Sequence, residues 1–194
     1  LEVKHEIIRM NLLDDENFVR NDDRRCYFCK KAMMTLLKKY ATNMGVELLV
    51  DGSNLDDYRS KRPGLIALAE KGVLSPLADI GFSKKDVREV AKKIGLPNWG
   101  EAPETCLATR IPEGVEITLE KLTRIMEAEK IVREVVDLKL LRVRYLGDTA
   151  KIEVLKEELP KIANGKVAEH VVSKLKGIGF KHVLLDLSGY KGEI

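Results

Sequence analysis

The sequence predicts a two-domain α/β protein, with a parallel sheet over residues 1–115 and a smaller α+β domain over 116–194. Three observations carry this. Strand-like and helix-like segments alternate through the first half, the order a parallel sheet requires. From Thr118 the texture changes to a long amphipathic stretch, two adjoining strand patterns, a helix and a last strand. Between the two, residues 96–114 carry Pro97, Pro103 and Pro112, which keep the chain extended or looped.

Taken in order, residues 1–10 (LEVKHEIIRM) read as a strand, and the polar run from Asp14 to Arg25 leads to Cys26. Residues 28–43 suit a helix, with Met33, Leu36, Leu37 and Ala41 near helical spacing and Gly45 ending it. Residues 46–50 (VELLV) read as a short buried strand and 65–71 as a helix. Ser83 is a good N-cap for a helix over 84–94, with Asp86 at its third position and Gly95 after its end. In the second half, residues 119–136 form an amphipathic helix with Leu122, Ile125, Met126, Ile131, Val132 and Val135 on the apolar side. Strands over 140–145 and 151–155 follow, joined by a turn at Gly147-Asp148. A helix over 167–176 and a strand over 182–187 close the chain. The boundary between the domains falls near 114–116.

Composition narrows the function classes. The chain is 44% hydrophobic and 34% charged, enough apolar content for a core under a highly charged surface. Much of that charge is Lys and Glu while aromatics are 5%, a balance that leans towards a heat-adapted protein. A net charge of +3 permits a phosphate-bearing partner without pointing to nucleic acid. No stretch approaches the roughly 20 apolar residues of a membrane span, and the first ten residues do not resemble a signal peptide. A cytoplasmic, reducing setting is expected, where three cysteines are ligands or reactive thiols rather than disulfide partners.

Those cysteines lead the list of chemical groups. Cys26-Tyr27-Phe28-Cys29 is a CxxC and Cys106 stands apart. Three thiolates suit a soft metal or an iron–sulfur cluster, whereas a closed structural zinc site wants a fourth ligand and no His lies beside any Cys. A cluster held by three thiolates leaves one iron open to a small ligand such as sulfide. Alternatively Cys26 and Cys29 flank a helix start and Cys106 is an unrelated thiol. A redox CxxC is a third reading. Asp51-Gly52-Ser53-Asn54-Leu55-Asp56-Asp57 follows a buried strand, where parallel sheets bind nucleotides; Asp51, Gly52, Asn54 and Asp57 could contact ribose or hydrated Mg²⁺, and a plain turn is the alternative. Arg142 and Arg144 alternate with Leu141, Val143 and Tyr145, so both guanidinium groups share one strand face and could clamp a phosphate, or be a solvated basic face. Arg110 is a weaker candidate. On pattern alone Glu127 and Glu129 are surface acids.

Together these pieces resemble the LarE-type ATP-dependent sulfur-insertion enzymes of the PP-loop ATP-pyrophosphatases, over almost the whole chain. Arg25-Cys26-Tyr27-Phe28-Cys29-Lys30, the Asp51–Asp57 motif, Arg62-Pro63-Gly64, Ser75-Pro76-Leu77, Gly95-Leu96-Pro97 and Cys106-Leu107-Ala108-Thr109-Arg110-Ile111-Pro112 carry it. Arg142-Val143-Arg144 and Ile152-Glu153-Val154 extend it. The resemblance implies an incomplete PP-loop sheet, of the adenine nucleotide alpha hydrolase-like type, in which ATP adenylylates a carboxylate of pyridinium-3,5-biscarboxylic acid mononucleotide. Sulfur then replaces the activated oxygen, on the way to a nickel-pincer cofactor. It further implies that Cys26, Cys29 and Cys106 hold a [4Fe–4S] cluster whose open iron carries sulfide. In some members the cysteine at the position of Cys106 gives up its own sulfur. Arg142 and Arg144 would hold the substrate phosphate, with Arg110 in support, and Glu129 and Glu153 would lie near substrate or metal. A homo-oligomer is implied as well.

One departure bears on ATP. The Ser-Gly-Gly-x-Asp-Ser loop, whose N–H groups cradle pyrophosphate in such enzymes, does not occur in these 194 residues, and Gly189-Tyr190-Lys191-Gly192 is no substitute. The expectation is that ATP and Mg²⁺ are used only with that loop supplied, by a missing segment or by a separate chain. Two rivals stand beside this reading: an iron–sulfur-dependent tRNA thiolase, disfavoured by the modest net charge, and a non-catalytic relic that binds nucleotide or a partner.

Overall fold

The computed structural model describes residues 3–60, 62–101 and 104–191. The protein is α/β, with many helices and a small sheet. Its contacts divide the chain into two compact units, Leu1–Glu101 and Ala102–Ile194. The division falls earlier than the expected 115/116. Residues 104–115, Cys106 included, pack with the second unit because Arg110 and the Thr109 carbonyl are tied into it.

The first unit holds α1 (Glu16–Val19), α2 (Arg25–Asn43), α3 (Leu55–Arg59), α4 (Pro63–Glu70), α5 (Pro76–Asp79) and α6 (Lys84–Lys93). Helix α2 begins three residues before the expected 28, so Cys26 and Cys29 both sit near its start. Its far half packs on α4, with Met34, Leu68 and Val73 buried between Met33, Leu37, Leu49 and Leu65. Met44 caps α2 and Gly45 leaves in the left-handed region at φ +71°, as a helix-ending glycine should. Ser83 caps α6 in a reciprocal box with Asp86.

Two expected strands differ. Residues 3–10 form no strand, and Val3 and Ile7 are exposed (residues 1 and 2 lie outside the described residues). Residues 46–50 reduce to a single parallel bridge, Val50 to Leu74, with Val46, Leu48 and Val50 exposed. The reason is common to both: a strand exists only where a neighbour takes its N–H and C=O groups, and among the described residues these segments find one bridge between them. The expected parallel sheet of this unit is therefore represented by that bridge alone.

The second unit follows the expected α-β-β-α-β order. Helix α7 (Leu119–Val135) leads to β1 (Leu141–Leu146) and β2 (Thr149–Val154), then α8 (Leu159–Ala163), α9 (Gly165–Gly177) and β3 (His182–Leu185). The sheet order is β1-β2-β3, antiparallel then parallel. Leu141, Val143, Ile152 and Val154 turn one face towards Ala128, Val132, Leu175 and Phe180, which form one core. The other face carries Arg142, Arg144, Lys151 and Glu153. On α7, Ile125 and Val132 are buried as expected, but Met126 is exposed and Glu129 buried. A carboxylate thus occupies a core-facing position, which corrects the reading of Glu129 as a surface acid.

Candidate functional site

In the first unit Cys26 and Cys29 lie one helical turn apart near the N-terminus of α2, on neighbouring positions of one face. Neither they nor Cys106 is disulfide-bonded, and Cys26 and Cys106 are exposed. The two residues inside the CxxC fix this turn. Tyr27 is buried, donates its hydroxyl to Glu70 at 2.8 Å and accepts from Lys31 at 2.9 Å. Phe28 meets the Tyr27 ring edge-on, with the Arg24 guanidinium over both rings. An Arg25 nitrogen approaches Cys26 Sγ at 3.7 Å. Gly64 of α4 faces the Cys26 carbonyl and Lys30, so this edge of the turn is closely covered.

Beside it lies a cavity of about 340 Å³ whose walls include Lys30, Asp51, Gly52, Asp57, Arg62 and Gly64. The structure thus brings Asp51, Gly52 and Asp57 together. Asn54 has a different job: its side chain caps α3, with Asp57 completing the box from the third helical position. Asp51 accepts from Ser53 and from the Ser75 hydroxyl at 2.7 Å. Burial alone would raise its carboxyl, but those donors and the Lys30 charge outweigh it and hold the group below its ordinary range. Asp57 pairs with Arg62 at 2.9 Å. The cavity therefore offers fixed carboxylates and two cations to a polar, hydroxyl- or phosphate-bearing ligand.

In the second unit a short 3-10 turn, Leu107–Arg110, starts at Cys106. Arg110 is buried and organises it. One terminal nitrogen donates to the Thr105 carbonyl and hydroxyl and to the Cys106 carbonyl, at 2.9, 2.6 and 3.1 Å. Its Nε pairs with Glu129 at 2.9 Å. Glu129 also accepts the Val143 N–H at 3.1 Å, closing part of the open edge of β1, and meets Arg133 at 3.5 Å. Arg144 donates to the Thr109 carbonyl at 2.7 Å and pairs with Glu153 at 2.8 Å, while Lys151 holds the other Glu153 oxygen at 2.9 Å and Asp186 at 2.9 Å. Arg142 lies buried on the same strand face, with its guanidinium over Tyr190. Burial lowers its pKa, and the neighbouring Arg110 charge lowers it further against the pull of Glu129 and Tyr190.

Arg110, Arg142, Arg144, Glu129 and Glu153 thus gather around the turn that starts at Cys106. Sequence reasoning missed Arg133 and Lys151. Arg133 is four residues after Glu129, and Lys151 is two before Glu153, so helix and strand spacing carried the signal once the two glutamates were placed inside. Among the described residues no three His, Cys, Asp or Glu side chains form a metal-holding group within one unit. Gly189 and Tyr190 pack at the edge of the arginine face, and Gly192 lies outside the described residues. No helix among the described residues is long and apolar enough to cross a membrane.

Fold and motifs define an α/β protein of the PP-loop superfamily, whose fold is adenine nucleotide alpha hydrolase-like. Residues 4–133 match the family described as thiamine biosynthesis protein (ThiI), and the chain belongs to that family. It is 36% identical over 189 residues to an uncharacterized protein of Synechocystis sp., covering 97% of this chain and 70% of that one. It is 32% identical over 185 residues to pyridinium-3,5-bisthiocarboxylic acid mononucleotide synthase of Lactiplantibacillus plantarum, covering 94% of this chain and 65% of that protein. A probable tRNA sulfurtransferase of Methanocaldococcus jannaschii is 28% identical over 79 residues, 40% of this chain and 21% of that one. The relatives with a stated activity are sulfur-transferring enzymes.

Proposed function

We propose that this chain carries the acceptor site and sulfur-delivery cysteines of an enzyme that turns an adenylylated carboxylate of a pyridinium mononucleotide into a thiocarboxylate. The observation that carries this is the arginine cluster built onto the Cys106 turn. Arg142 and Arg144 stand on one strand face, guanidinium groups being suited in general to a phosphate monoester, and Arg110 ties the Cys106 carbonyl to Glu129. Similarity to the L. plantarum synthase supports the same substrate class.

The donor set fits a [4Fe–4S] cluster in its chemistry. Cys26 and Cys29 are one turn apart near a helix start, Cys106 is exposed, and none is disulfide-bonded. On this reading the three thiolates hold the cluster, which when bound supplies an iron position able to carry sulfide. The residues of this chain do the rest. Arg25 lies against the Cys26 sulfur, Arg110 fixes the backbone at Cys106, and Arg142 and Arg144 hold the mononucleotide phosphate. Glu153 bridges Arg144 and Lys151, one oxygen to each. Adenylylation is assigned to a segment bearing the pyrophosphate-cradling loop, in this chain's longer form or in a partner, with the Asp51 cavity completing the nucleotide site. A homo-oligomeric, cytoplasmic enzyme is part of the same proposal.

Anaerobic reconstitution with iron and sulfide tests it, on wild type and Cys106→Ala. Iron and labile sulfide in the wild type, lost in the variant, make the three cysteines one site. A folded wild type that takes up no iron removes the cluster and leaves Cys106 as a sacrificial donor. A tRNA substrate is the second reading, carried by the similarity to the M. jannaschii enzyme. Retention of tRNA at moderate salt, where non-specific phosphate contacts weaken, would favour it.

A further inference from the structure

We propose that Arg133 reads a ring carboxylate of the substrate in the cavity beside Cys106, and so selects a pyridine dicarboxylate over a monocarboxylate. The proposal rests on the sulfur-insertion reading above and adds the group that distinguishes the substrate's second acid.

The cavity measures about 210 Å³, and its walls include Thr105 and Leu107, the chain neighbours of Cys106. Buried Arg110 and Glu129 supply charge within it, and the more exposed Arg133, Met126 and Glu104 complete its lining. Arg110 and Arg133 each bring one terminal nitrogen to the second Glu129 oxygen at 3.5 Å, but Arg110 is buried and fixed by its other bonds whereas Arg133 is open to the cavity mouth. Arg110 spends its Nε on Glu129, and one terminal nitrogen on Thr105, Cys106 and Thr109. Glu129 is used by Arg110 Nε and the Val143 N–H. Arg133 reaches Glu129 at 3.5 Å, the outer limit of a hydrogen bond, and its side chain is 43% exposed. It can therefore turn its fork to an incoming carboxylate while staying within an i,i+4 reach of Glu129.

Charge argues the same way. Arg110, Arg133 and Arg142 all bear electrostatically on one buried carboxylate, Glu129. An entering anion offsets the three cations against Glu129, and a carboxylate held on Arg133, away from the exposed Glu104, does so without displacing the Arg110–Glu129 pair. Leu107 and Met126 add apolar lining against which a pyridine ring can pack, Met with a polarizable sulfur. The ligand class is an aromatic carboxylate.

Isothermal titration of pyridine-3,5-dicarboxylate and of pyridine-3-carboxylate into the whole chain tests this, using wild type, Arg133→Met, Arg133→Lys and Lys130→Met. The expected result is a wild-type preference for the dicarboxylate. Arg133→Met weakens dicarboxylate binding by about tenfold or more, as for loss of a charge-assisted hydrogen bond, and removes the preference. Arg133→Lys restores part of it, and Lys130→Met, at an exposed cation on the same helix that pairs with Glu134, leaves it unchanged. Equal binding by wild type and Arg133→Met, or no wild-type preference or binding, overturns the assignment. Iron uptake that depends on Cys106 in the same preparations would then leave the sulfur-insertion reading standing without this residue, whereas its absence removes that reading separately.

Discussion

Arg110 and Glu129, 19 residues apart in the chain, form a buried ion pair at 2.9 Å that joins the Cys106 turn to the edge of β1. Both side chains are almost wholly removed from water, so each charge depends on protein partners. Removing one member takes the closest ionic partner from the other. The loss approaches the roughly 3–5 kcal/mol of a broken buried pair only as far as Thr105, Cys106, Val143 and Arg133 fail to compensate. Glu129→Ala also strips the acceptor from the Val143 N–H. The expected outcome is a large loss of stability in urea unfolding, with Arg110→Met,Glu129→Leu milder than either single change. A single Glu129→Ala variant as stable as wild type would contradict the burial of the pair.

Glu158 gives a pH dependence whose sign is fixed by its surroundings. Burial alone would raise its carboxyl, but the backbone N–H groups of Lys139 and Leu140 and the Lys161 ammonium outweigh that and lower it from 4.5. A group depressed in the folded state contributes stability fully above its unfolded value, and loses it as pH falls through the folded one. The chain should therefore lose stability on acidification below about pH 4.5. Glu158→Gln should be less stable at neutral pH and show a shallower acid slope, measured by denaturant midpoints across that range.

What was legible in the sequence follows from how local each cause is. The Ser83–Asp86 box and Gly95 were readable because capping chemistry lies within four residues. The start of α2 was placed late because Arg24 caps it with no side-chain bond, leaving no signal before Cys26. Residues 46–50 have strand composition, but pairing depends on a neighbour elsewhere in the chain, and among the described residues only Leu74 provides one. The period-two pattern of Arg142 and Arg144 placed them on one face, whereas the burial of Arg142 came from packing around Tyr190 that no spacing encodes. Glu129 was within reach: it stands three or four residues from Ile125 and Val132, inside the apolar stripe.

Arg144 separates phosphate recognition from plain structure. It is partly exposed and already paired with Glu153, so its removal leaves a carboxylate that Lys151 still satisfies. Arg144→Met should therefore fold. It should weaken binding of a pyridine mononucleotide, and leave the corresponding nucleoside unaffected, in a titration at fixed ionic strength. The gap between nucleotide and nucleoside should narrow by about tenfold or more. An unchanged gap would remove Arg144 from the phosphate site.

Gly189 tests the same face from behind. It adopts φ +73°, a region where a side chain is strained, and a Cβ there would lie 3.1 Å from the backbone N and Cα of Lys156. Those contacts are with backbone, which cannot swing aside as a side-chain tip would. Gly189→Ala should thus cost about 1–3 kcal/mol from strain and overpacking together. The displacement should also reach Arg142, because the next residue, Tyr190, is held by Val154 through its N–H at 2.8 Å and carries its ring over that guanidinium. Lower mononucleotide affinity in a folded Gly189→Ala variant, measured beside Arg144→Met, would tie the C-terminal turn to the anion site. Lost stability with unchanged affinity would confine Gly189 to packing and show that Arg142 is positioned without Tyr190.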